Sequence, residues 1–120
     1  MYQRGIRGAI TVEHDCVEMV EKASIELFSE IISLNKVAVD DISHVIFTMT
    51  NDLKCAYPAK FVRQYFDIKN VPLMCMQELE VENSLTKCIR VLVVINTEKS
   101  QKEIRHVYLK GASVLRPDLT

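Results

Sequence analysis

Cys88-Ile89-Arg90-Val91-Leu92-Val93-Val94-Ile95-Asn96 is the stretch that decides the fold. Successive strand side chains point to opposite faces, so Ile89, Val91, Val93 and Ile95 form one apolar face, with Arg90, Leu92 and Val94 on the other. A β-branched run of this length reads as a strand and needs partners. Arg90 is its anomaly, because an unpaired guanidinium inside an apolar strand is costly to bury.

Working outward, Val71 to Met76 reads as a strand, and so does Ile104-Arg105-His106-Val107-Tyr108-Leu109, whose alternation sets Arg105, Val107 and Leu109 opposite His106 and Tyr108. Ile42 to Met49 follows the Asp40-Asp41 turn and carries Val45, Ile46 and Phe47; Thr50-Asn51-Asp52 ends it. Arg4-Gly5-Ile6-Arg7-Gly8-Ala9-Ile10-Thr11 alternates larger and smaller residues, and its glycines allow close backbone approach. Asp15 with Glu18 resembles a capping box opening a long helix, whose Val17, Val20, Leu27, Phe28, Ile31 and Leu34 recur at helical spacing. Glu18, Lys22, Glu26 and Glu30 fall on its opposite, solvated side. Pro58 suits the first position of a short helix on which Lys60 and Arg63 share a face. Five strands, one long helix and one short one predict an α+β fold with a mixed sheet and helices packed on one face. The bare face and edges of so small a sheet are commonly covered by further copies, so a homo-oligomer is expected.

The 120 residues are 48% hydrophobic and 26% charged, with three glycines, three prolines and no low-complexity tract, which fits one domain over residues 1–120. The opening residues carry Arg4 and Arg7 and lack the apolar stretch of a secretory signal, and the apolar run Val91 to Ile95 is far short of the roughly 20 residues that span a bilayer. Cys16, Cys55, Cys75 and Cys88 are scattered without metal-ligand spacing, which fits free thiols in a reducing cytoplasm and no metal. A net charge of −1 disfavours nucleic acid as a partner. The charges are nevertheless segregated: Glu13 to Glu30 holds six acids and one lysine, while Arg4, Arg7, Lys60, Arg63, Arg90, Arg105 and Arg116 lie elsewhere. Some of those cations can converge on a small anion.

Taken one at a time, the polar candidates leave two readings open. Arg90 is either a surface cation paired to a carboxylate such as Glu78, or part of an anion site. Glu78 can cap a sheet end or accept a hydrogen bond from a ligand hydroxyl. Arg7 is either a surface ion-pair partner or a guanidinium for which two flanking glycines clear space. Cys75 reads as a small buried hydrophobe, Tyr108 as a core aromatic and Tyr57 as packing for the turn before Pro58. His14, His44 and His106 lack the context of a histidine-centred mechanism, and there is no glycine-rich phosphate loop.

Arg4-Gly5-Ile6-Arg7-Gly8-Ala9 followed by Thr11-Val12-Glu13 resembles the opening of the small monofunctional AroH-class chorismate mutases. The resemblance continues in order through Pro58-Ala59-Lys60 with Arg63, Cys75-Met76-Gln77-Glu78, Lys87-Cys88-Ile89-Arg90-Val91, and Ile104-Arg105-His106-Val107-Tyr108-Leu109 leading to Val114-Leu115-Arg116-Pro117-Asp118-Leu119. It implies an α+β protomer that assembles as a homotrimer, a pseudo-α/β barrel related to the YjgF-like fold, with active sites between subunits. It further implies the cofactor-independent Claisen rearrangement of chorismate to prephenate, in phenylalanine and tyrosine biosynthesis.

By the same resemblance one subunit contributes Arg7, Glu78, Arg90 and Tyr108 with Cys75, and its neighbour Tyr57, Lys60 and Arg63. Leu73, Met74 and Leu115 line the pocket, and Arg116 helps attract the ring carboxylate. Tyr57 and Met74 depart from the phenylalanine and threonine expected there, which bears on affinity more than on activity. Two alternatives remain: an imine deaminase of the Rid/YjgF type, which the Glu78, Arg90 and Tyr108 blocks disfavour, and a noncatalytic trimer binding an anionic metabolite.

Overall fold

The computed structural model describes residues 1–115. Its elements run β1 (Tyr2–Thr11), α1 (Val17–Asn35), β2 (Ile42–Met49), α2 (Pro58–Tyr65), β3 (Leu73–Gln77), β4 (Cys88–Thr97) and β5 (Val107–Leu109), joined partly by short 3-10 turns. They build one mixed five-stranded sheet in the order β3-β2-β4-β1-β5. The decisive strand is its centre: β4 pairs antiparallel with β1 on one side and β2 on the other, while β5 joins β1 and β3 joins β2 in parallel.

Ile89, Val91, Val93 and Ile95 of β4 all turn into the main core with Ile6 and Ile10 of β1 and Val45 and Phe47 of β2. Ile42 and Val45 both face inward although three positions apart, because the β2–β4 register shifts between Ile42 and His44. α1 covers this face with Val20, Ala23, Leu27, Phe28 and Ile31, and α2 adds Ala59, Phe61 and Val62. Gly8 lets helix and sheet approach closely: a Cβ there would lie 2.7 Å from Ile31 Cδ1 and 3.2 Å from the Val107 carbonyl oxygen. Glu18, Lys22, Glu26 and Glu30 are exposed, as the periodicity predicted, but so are Val17 and Leu34 at the helix ends.

Three local expectations are corrected. Cys16, not Asp15, precedes the first turn of α1, and no side chain caps it. The Asp15 carboxylate instead accepts hydrogen bonds from the amides of Lys54 (3.0 Å) and Cys55 (3.2 Å), which ties the start of α1 to the loop leading into α2. The strand expected over Val71 to Met76 begins at Leu73, since Pro72 has no amide proton to give a ladder. The strand expected over 104–109 shortens to Val107–Leu109, because side chains bind the backbone ahead of it. Buried Asn35 accepts from the Arg105 amide at 2.8 Å and donates to the Arg105 carbonyl at 2.9 Å, while His106 Nδ1 accepts from the Arg7 amide at 2.9 Å. Among the described residues no helix is long and apolar enough to cross a membrane.

Candidate active site

Among the described residues no helix covers the second face of the sheet. The strand registers set Met76, Thr48, Arg90, Ala9 and Tyr108 side by side in one row across β3, β2, β4, β1 and β5. Two residues along each strand, Met74, Ile46, Leu92 and Arg7 make a second row. Neighbouring strands lie about 4.8 Å apart, so the small Ala9 leaves a gap with Arg90 and Tyr108 about 10 Å apart on its flanks. Ala9, Cys88, Tyr108 and Ala112 form a second small cluster, and Leu85 and Leu115 pack against it.

Glu78 follows β3, its amide donating to the Met49 carbonyl at 2.9 Å. Its carboxylate folds back over β2, where Oε2 accepts from the Thr48 hydroxyl at 3.0 Å and also stands 3.0 Å from Arg90 Nε. Distance alone makes this an ion pair, but the Nε–H is not aimed at the oxygen: among the described residues buried Arg90 Nε has no hydrogen-bond partner, and neither has the buried Tyr108 hydroxyl. Buried donors are normally satisfied, so two such donors on either side of a gap are groups that the oxygens of a ligand can engage. Cys88 lies beside Arg90; burial first of all pushes its thiol up to about 11, with the Arg90 charge pulling the other way. It is therefore protonated at neutral pH and is no nucleophile.

The structure places Arg90, Glu78, Tyr108 and Leu115 together, with Arg7 and Met74 on the same face one row away. It does not bring Tyr57, Lys60, Arg63, Leu73 or Cys75 to them. Lys60, Arg63 and Tyr57 are exposed at α2, and Tyr57 keeps 68% of its surface. Leu73 and the Cys75 thiol turn toward the helices and pack on the main core. Burial raises the pKa of that thiol, against the Ala59 backbone and the Arg63 charge.

The main-chain groups of Pro72 and Glu78 face β2, so by strand alternation the Cys75 amide faces the open edge of β3. A cleft of about 330 Å³ at that edge is lined by residues including Tyr57, Cys75 and Met76. Arg4 is engaged elsewhere, donating from Nε to the Lys99 carbonyl at 3.0 Å. Arg116 lies outside the described residues. Sequence reasoning did not single out Thr48, Ala9 or Cys88 as site residues; the one signal of Thr48 and Ala9 is their cross-strand register with Arg90, and that of Cys88 is its place two residues before Arg90 on the same strand.

The chain thus carries a pair of donors, Arg90 and Tyr108, on the bare face of the sheet, and exposed cations, Lys60 and Arg63, on α2. The family model for chorismate mutase type I matches residues 3–119. The chain is 43% identical over 120 residues to chorismate mutase AroH of Bacillus subtilis, covering all of this chain and 94% of that one. It is 45% identical over 117 residues to chorismate mutase AroH of Thermus thermophilus, covering 97% of this chain and 95% of the relative. A solved chorismate mutase from Clostridium thermocellum superposes with a TM-score of 0.88 at 42% identity, over 92% of this chain and 97% of that one. With matches that run nearly end to end and include the Arg90 strand and its neighbours, the chain belongs to the type I chorismate mutase family.

Proposed function

We propose that the protein is an isomerase, a single-domain chorismate mutase that converts chorismate to prephenate in the cytoplasm, with no cofactor or metal. The observation that carries the reading is the pair of buried donors, Arg90 Nε and the Tyr108 hydroxyl, on either side of Ala9, neither with a hydrogen-bond partner among the described residues. A Claisen rearrangement breaks an ether C–O bond as a C–C bond forms, with no proton to transfer, so an enzyme for it needs conformer selection and charge stabilisation. Chorismate is a dicarboxylate, and the available groups are chiefly cations and donors.

In this reading Arg7 and Tyr108 hold the enolpyruvyl carboxylate so that the two bonding carbons meet. Arg90 reaches the ether oxygen, where negative charge grows as the bond breaks, and touches the same carboxylate. Glu78 accepts the hydrogen bond of the ring hydroxyl, with the Cys75 amide close by. Lys60 and Arg63 draw in the ring carboxylate, and Leu73, Met74 and Leu115 line the pocket.

The bare sheet face supports a homotrimer with shared sites. Leu92, Met74 and Met76 are exposed on it, with 36%, 56% and 46% of their surface open. Tyr57, Lys60 and Arg63 stand on the helical side and reach an Arg90 cluster only if it belongs to another subunit. A deaminase has no comparable use for the Glu78–Arg90–Tyr108 set. The test is loss of chorismate absorbance with purified protein: rapid loss with prephenate as product supports the reading, and no turnover by folded protein refutes it. A folded protein that binds chorismate unchanged would indicate metabolite binding, and turnover of imines a deaminase.

A further inference from the structure

Glu78 presents a problem of geometry, because a carboxylate facing an arginine ordinarily turns to take aligned N–H···O bonds, often two of them. Here Oε2 lies 3.0 Å from Arg90 Nε, yet that N–H has no hydrogen-bond partner among the described residues. The same oxygen instead accepts from Thr48 Oγ1 at 3.0 Å. Thr48 is the cross-strand partner of Arg90 on β2, with its hydroxyl on the same face. The Glu78 side chain is only 15% exposed, so water offers little competition for the oxygen.

We propose that Thr48 is a positioning residue: its hydroxyl holds the Glu78 carboxylate so that its charge offsets that of Arg90 while the Arg90 Nε–H stays available to a ligand. The inference rests on the reading of Arg90 as the group that meets the substrate, and it assigns Thr48 no contact with substrate. Without the hydroxyl, Glu78 turns and captures the Nε–H. The donor then has to be released before it can serve the breaking ether bond, which slows the chemical step more than it weakens binding.

Thr48→Val tests this with little change in shape and a residue suited to a strand; Thr48→Ala serves should the valine variant misfold. The expected result is a fall in kcat of about tenfold, comparable to one hydrogen bond to a charged group, with KM within about twofold. Thr48→Ser restores kcat, and Thr48→Val added to Glu78→Ala has no further effect. An unchanged kcat, or an equal loss in the Glu78→Ala background, overturns the proposal.

A second readout needs no turnover. In ligand-free protein the Arg90 Nε–H resonance, identified by its absence in Arg90→Lys, should move downfield and exchange more slowly in Thr48→Val. An unmoved resonance also overturns the role of Thr48. An inactive parent protein would overturn the chorismate reading instead, leaving the resonance to decide the geometry.

Discussion

Ala9 carries no polar atom, yet the site is arranged around it, since it is the cross-strand neighbour of both Arg90 and Tyr108. The two flanking donors differ in what their loss should do. Removing a preorganised donor at a centre of developing charge costs about 10²–10³ in rate, so Arg90→Ala should lower kcat by that order with a smaller effect on KM. Tyr108→Phe removes a buried hydroxyl that has no hydrogen-bond partner among the described residues. It should lower kcat/KM yet leave stability unchanged or raise it by up to about 1 kcal/mol in urea unfolding. A destabilised Tyr108→Phe would mean that the hydroxyl is satisfied without ligand. Arg90 was legible in the sequence because a charge interrupts an apolar strand. Ala9 and Thr48 were not, because their importance comes from cross-strand register, and the same residues in another register would be ordinary sheet surface.

Elements show the same division. The spacing over β4, β2 and α2 fixed those segments closely, since each carries a strong period or a proline at its start. The ends of β3 and β5 were not legible, because tertiary hydrogen bonds from Asn35 and His106 and the missing amide of Pro72 set them. Asp15 looks like a cap only from its spacing to Glu18; in the fold it fastens α1 to the loop before Tyr57. The Cys55 thiol first, with the Lys54 and Cys55 amides, holds its carboxyl below the ordinary 3.8, against the burial penalty. A depressed folded value means that the fastening contributes stability above the unfolded pKa and loses it as pH falls through the folded one, below 3.8. Asp15→Asn should therefore lower the urea midpoint at pH 7, by less than about 1 kcal/mol since the released amides are close to water. The difference from the parent should vanish in more acid solution; a difference that persists there would point to packing and not to charge.

At the scale of the molecule, the α+β architecture and the placement of both helices on one face followed from hydrophobic period, and an uncovered face followed from the count of elements. What the sequence did not disclose is that the face carrying Arg90 and the side carrying Lys60 and Arg63 are opposite sides of one sheet. That geometry is why the proposed site draws on two protomers, and the sharing is the central claim. The measurement that tests it most directly mixes two crippled variants. Arg90→Ala and the double variant Lys60→Ala, Arg63→Ala are each assayed alone and then unfolded and refolded together. If sites are shared, mixed assemblies contain some in which an intact Arg90 face meets an intact α2 rim, and chorismate turnover rises above the average of the two parents. Turnover no higher than that average, in refolded material shown to contain mixed trimers, would place every catalytic group within one protomer and contradict the account.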